Sequence, residues 1–169
     1  TGLSDSLSVS VVNGASNAVT TVTAINDVTG LETLNLSSTG GTGTNVITTL
    51  SEDGKVVLTG SAPLTITNAI VTNTFDGSAF TGKLTAKTTA ATNTNIATGT
   101  GADSITTGTG TDTVNTGAGN DLIINGTAVD DATGADVLFG GAGNDTFQLQ
   151  GTGLAATLTN YSTLVNIKD

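Results

Sequence analysis

A nine-residue period between Thr98 and Gln148 constrains this chain more than any other feature. The stretch reads TGTGADSIT, TGTGTDTVN, TGAGNDLII, then a looser NGTAVDDATGADVLF, then GGAGNDTFQ. Asp103, Asp112 and Asp121 are nine residues apart, and so are Asp136 and Asp145. A glycine stands two places before each of these aspartates. An apolar residue follows within two places: Ile105, Val114, Leu122 with Ile123, Leu138 and Phe147. Such a repeat has room for a turn of about six residues and a strand of about three. If two repeats close one turn of a flattened coil, successive loops fall on alternate sides. Strands stack about 4.8 Å apart, which brings loops on one side within reach of each other. One side should carry Asp103, Asp121 and Asp145, and the other Asp112 and Asp136. The glycines allow φ > 0 in the turn, and the apolar residue points into a thin core.

Charge sharpens this reading. The 169 residues hold 14 acidic and four basic side chains, a net charge of −10, with no arginine. Seven of the acids lie from Asp103 to Asp145, where no lysine intervenes. That segment repels itself without a counter-ion, and its apolar content is too low to fold it alone. The same charge argues against nucleic acid and anionic membranes as partners. There is no Cys, His, Met or Trp. Disulfides and thiolate sites are therefore excluded, and the commonest general base and transition-metal ligand is missing. Serine has no base to activate it and only five aromatics are present, so no catalytic activity is expected. No apolar run approaches a transmembrane helix, and no signal peptide is visible. The abrupt start and stop suggest a fragment of something longer.

Residues 1–97 read as short strands with almost no helix, because no useful 3.6-residue period appears. Leu7, Val9 and Val11 alternate with Ser8 and Ser10. Val19–Ile25 is Thr/Val-rich, and Leu34 and Leu36 share a face after the turn at Gly30. Val46–Leu50, Val56–Thr59, Leu64–Thr67, Ile70–Phe75 and Leu84–Ala86 follow, with turns at Glu52–Lys55, Asp76–Gly77 and Thr81–Gly82. Pro63 begins one of these strands, where a missing amide donor is tolerated. Thr makes up about a fifth of the chain, and with Val and Ile it favours strands. A sandwich or an irregular parallel β-helix fits this spacing. The β-helix is preferred because it passes into the regular coils without exposing a sheet edge. The predicted fold is thus all-β, a right-handed parallel β-helix or β-roll solenoid. Its three parts are an irregular solenoid (1–97), the repeat roll (98–148) and capping strands (149–169) that use Leu154, Leu158, Leu164, Val165 and Ile167. Thr-x-Thr occurs at Thr21–Thr23, Thr65–Thr67 and Thr107–Thr113 without a constant period, which disfavours an ice-binding face.

The repeats at 98–148 resemble the RTX domains of proteins exported by type I secretion. Residues 28–36 (VTGLETLNL) and 76–85 (DGSAFTGKLT) look like the Thr/Gly-rich solenoids of proteobacterial surface-layer proteins, and the ending VNIKD is similar to the strand before their export region. The resemblance implies Ca2+ bound between coils. Calcium takes six to eight hard oxygen ligands in a tolerant geometry, and carboxylates with glycine-exposed carbonyls are of that kind. It assigns the metal to Asp103, Asp112, Asp121, Asp136 and Asp145. The carbonyl donors it implies are Gly99, Gly101, Gly108, Gly110, Gly117, Gly119, Gly134, Gly141 and Gly143. The fourth loop, Gly126 to Asp136, is six residues too long. There Asp130 and Asp136 are alternative ligands, and Asp130 with Asp131 also reads as a solvated acidic bulge. Thr98, Thr107 and Thr116 replace the first glycine of the pattern. Asn125 or Asp131 takes that place in the fourth loop, and Ala128 stands in a glycine position before Asp130. The function implied is a structural subunit segment of a bacterial surface layer at the cell surface, folded by calcium. It would form homo-oligomeric lattices or filaments and meet cell-surface polysaccharide, without membrane insertion. The alternative is the RTX domain of a secreted adhesin, toxin or hydrolase.

Overall fold

A computed structural model describes residues 4–14, 17–26, 30–89, 93–125 and 136–149. The expected capping residues Leu154, Leu158, Leu164, Val165 and Ile167 lie outside these, as do Asp130, Asp131 and Gly134. No helix occurs among the described residues. Fourteen strands alternate between two parallel sheets. One sheet holds β1 (Ser6–Asn13), β3 (Thr33–Gly40), β5 (Lys55–Gly60), β7 (Thr74–Phe80), β9 (Asn95–Ala97), β11 (Thr113–Asn115) and β13 (Val137–Phe139). The other holds β2 (Thr20–Ile25), β4 (Asn45–Leu50), β6 (Leu64–Ile66), β8 (Leu84–Lys87), β10 (Ser104–Thr106), β12 (Leu122–Asn125) and β14 (Thr146–Leu149). Every strand pairs in parallel with the strand two places on, so the chain winds as a solenoid.

The alternation of apolar and polar residues sets which side faces in. In the first sheet Leu34, Val56, Phe75, Ile96, Val114 and Leu138 stand one above another in register. In the second, Val22, Ile47, Ile66, Ala86, Ile105, Ile123 and Phe147 correspond. These two ladders meet between the sheets, and nearly all their members are fully buried. The intervening Ser, Thr and Asn face outward, where they need no apolar partner. Lys55 and Asp76 pair on that outer surface at 2.8 Å.

Two local expectations differ from the structure. Asp76–Gly77 is not a turn but part of β7. The pairing of β5 with β7 shifts register between Val57 and Thr59, and this bulge absorbs the residues that read as turn formers. Asp76 Oδ1 accepts hydrogen bonds from the Ser78 amide and hydroxyl at 3.3 and 2.7 Å, so the Asx geometry is satisfied inside a strand. Ile70–Phe75 is not one strand either. Ile70 and Val71 make isolated bridges, and the chain turns a corner before Thr74. The Thr72 hydroxyl holds that corner through the Gly54 carbonyl at 2.8 Å. Strand β9 was not anticipated, since Asn95–Ala97 carries a single apolar residue of any size.

Candidate metal centre

Four six-residue loops, 98–103, 107–112, 116–121 and 140–145, separate short strands from β9 onward, and parallel register stacks the loops. Loops 98–103, 116–121 and 140–145 lie along one edge of the solenoid. Loop 107–112 and Asp136 lie along the other. Close stacking depends on glycine. Gly117, Gly119, Gly141 and Gly143 all have positive φ, and a Cβ on Gly119 would stand 2.2 Å from the Gly101 carbonyl oxygen. The loops are joined directly: the Gly99 and Gly117 carbonyls accept the Ala118 and Ala142 amides, each at 2.8 Å. Each carbonyl oxygen keeps a second lone pair beyond that bond.

The aspartates fall into the two columns that the alternation predicts. On the first edge, Asp103 Oδ1 accepts the Leu84 amide at 2.7 Å, Asp121 Oδ1 the Asp103 amide at 2.8 Å, and Asp145 Oδ1 the Asp121 amide at 3.0 Å. Each carboxylate thus reaches back one coil. On the second edge, Asp112 Oδ1 accepts the Thr94 amide at 2.9 Å and Asp136 Oδ1 the Asp112 amide at 2.8 Å. Asp103, Asp112, Asp121 and Asp136 are all buried, which is costly for a charge without a partner.

The second carboxylate oxygens tell the edges apart. Oδ2 of Asp103, Asp121 and Asp145 is buried with no hydrogen-bond partner. The Thr98 and Thr116 hydroxyls lie beside Asp103 and Asp121. A hydroxyl has one proton, however, and these donate to the Thr116 and Gly140 carbonyls at 2.8 and 3.0 Å. Burial pushes the Asp103 carboxyl up to about 6, aided by the charge of Asp121 and opposed by the Leu84 amide. Burial raises Asp121 as well, with Asp145 adding to it. A Cβ on Gly140 would come within 2.3 Å of Asp145 Oδ2, so the space beside that oxygen exists only because residue 140 is glycine.

A hard cation fits these residues. The first edge offers a buried, donor-less carboxylate oxygen on each of three successive coils, among loops rich in glycine carbonyls. No three carboxylates among the described residues converge as a metal cluster. One strand spacing separates neighbours in a column, so an ion there would take its remaining ligands from backbone oxygens, as calcium readily does. Gly99, Gly101, Gly117, Gly119, Gly141 and Gly143 share the first edge, and Gly108 and Gly110 the second.

Register exposes a related loop that a search keyed on aspartate misses. Gly40-Gly41-Thr42-Gly43-Thr44-Asn45 has the same glycine spacing, with asparagine in the aspartate place. Asn45, Leu64 and Leu84 pair in one column. Asp103 continues that column, since Ser104 pairs with Thr85. The buried Asn45 Nδ2 lies 2.9 Å from the Val11 carbonyl, 2.9 Å from Ser38 Oγ and 3.2 Å from the Thr39 carbonyl. Its amide protons therefore bridge oxygens that an aspartate would repel.

Comparison with known proteins agrees with this geometry. No curated protein and no solved structure matches the chain. Residues 89–123 and 129–149 match the family model of the RTX calcium-binding nonapeptide repeat, in four copies. The chain carries RTX calcium-binding nonapeptide repeats, of a family that binds Ca2+ between the turns of a β-roll.

Proposed function

We propose that this chain is a structural segment of a bacterial surface layer or comparable extracellular assembly, folded and held by calcium between its coils. The observation that carries the calcium part is the column of Asp103, Asp121 and Asp145, each with a buried oxygen that lacks a donor. At millimolar extracellular calcium and a Kd near 10⁻⁴ M, one site contributes about 1.4 kcal/mol by mass action. Several stacked sites then decide whether the coil forms, and a calcium-poor cytoplasm leaves it open for export. The surface-layer part is supported by the likeness of residues 28–36 and 76–85 to the Thr/Gly-rich solenoids of such proteins. The chain supplies no His or Cys for catalysis, so its role is scaffolding, with copies of itself and surface polysaccharide as partners. Electron microscopy of the protein at millimolar calcium tests this. Ordered sheets or filaments that dissolve in EGTA are expected. A calcium-folded monomer at every concentration would favour the RTX domain of an adhesin, toxin or hydrolase instead.

A further inference from the structure

The two edges of the roll are not equivalent. On the first edge Oδ2 of Asp103, Asp121 and Asp145 has no donor. On the second, the Thr88 hydroxyl donates to Asp112 Oδ2 at 3.0 Å, and the Asn125 amide approaches Asp136 Oδ2 at 3.5 Å. Thr88 also accepts the Gly108 amide at 2.5 Å, which ties the donor to the very loop it serves. The second edge therefore carries its own neutral donors where the first has bare oxygen. Asn45 Nδ2 likewise supplies neutral protons elsewhere in the chain, bridging backbone oxygens of adjacent coils.

We propose that calcium loads the Asp103–Asp121–Asp145 edge first and most tightly, and that Thr88 and Asn125 hold the Asp112–Asp136 edge together without an ion. The physical reason is competition. An ion entering the second edge must displace a hydroxyl or amide donor from each carboxylate, whereas on the first edge it meets an oxygen with no bond to lose. Among the described residues the first edge also stacks three carboxylates to the second edge's two, and affinity rises with ligand charge. The inference rests on the calcium reading above and adds an order of filling to it. Thr88 and Asn125 become positioning residues of the second edge.

The test uses the full chain and calcium alone. In a calcium titration followed by amide NMR, the Asp103 and Asp121 signals should move at lower calcium than those of Gly108 and Asp112. By calorimetry, Asp121→Asn should weaken the tightest binding step roughly tenfold or more, and Asp112→Asn less than about threefold. Thr88→Val should lower the melting temperature in EGTA and leave a smaller deficit at millimolar calcium, because an ion then replaces the lost donor. Simultaneous movement of both sets of signals in the unaltered chain overturns the order, as do equal losses in the two aspartate variants. Absence of any calcium-dependent change in the unaltered chain removes the order together with the calcium reading beneath it.

Discussion

The coils from Thr33 to Lys87 and those from Asn95 to Leu149 share two sheets and one register, yet they close their corners by different chemistry. At the corner that enters the second sheet, the earlier coils place Leu64 and Leu84, both within 1 % of full burial. The later coils place Asp103, Asp121 and Asp145 in the same column. Most of the earlier strands are longer, and each buries two apolar residues, as Leu34 with Leu36 and Val56 with Leu58 do. The later strands bury one: Ile96, Ile105, Val114, Ile123 or Leu138. A corner leucine stabilises by leaving water, and it does so in any medium. A corner aspartate is neutral or unfavourable until something positive meets it. The molecule thus joins coils with apolar corners to coils with carboxylate corners without a break in either sheet.

Removing calcium should split the halves most sharply. In EGTA, hydrogen exchange at the Val114 and Ile123 amides should speed up at least ~100-fold, while Leu36 and Leu58 change little. Uniform acceleration through both halves would erase the contrast.

Leu84→Ala should cost about 2–5 kcal/mol, by the same amount in calcium and in EGTA. Denaturant melts in the two media read this directly, and a calcium-dependent cost would mean the corner leucine already belongs to the ion-bound half.

Asn45→Asp probes the boundary from the other side. It removes the amide that reaches the Val11 and Thr39 carbonyls and should destabilise the chain by about 1–3 kcal/mol in EGTA. Millimolar calcium should restore part of the loss, because Gly40–Thr44 already has the loop spacing. No recovery would show that the glycine pattern alone does not make a calcium loop.

Acid should move the halves in opposite directions, with the smallest amplitude. Burial holds the folded Asp103 carboxyl up at about 6, above its ordinary 3.8. Its contribution to the calcium-free fold is therefore fully present below pH 3.8 and lost as the pH rises through 6. In EGTA the later coils should be more stable at pH 4 than at pH 7, and calcium affinity should fall below pH 6 as protons compete. The Lys55 ammonium, helped by Ser78, holds Asp76 down to about 2. That pair contributes above pH 3.8 and is lost as the pH falls through 2. Both partners are partly exposed, so Lys55→Ala should cost under ~0.5 kcal/mol at neutral pH. Melting curves across pH 2–7 in EGTA separate the two trends.

Much of this was legible from spacing. Asp103, Asp112 and Asp121 at a period of nine give alternate edges, because two repeats close a coil and parallel register then repeats every second loop. Leu34 and Leu36, or Ile105 and Ile123, read as core for the same reason. Asp76–Gly77 misled because Asp and Gly form turns and bulges alike, and only the register of the neighbouring strand selects between them. Gly40–Asn45 was hidden because its asparagine breaks the carboxylate rhythm while keeping the geometry. Thr88 and Asn125 were invisible as positioning groups, since each acts on a carboxylate of a later loop.

The sequence by itself determined the period, and the period determined which residues stand in a column. It also determined that one stretch of the chain is acidic and poor in apolar residues. Only the tertiary structure decided which oxygen within a column has a donor, and that Leu84 and Asp103 occupy the same corner. Hydrogen-bond partners here come from the next coil, about 18–24 residues away, and a proton shared across that distance leaves no local mark on the sequence.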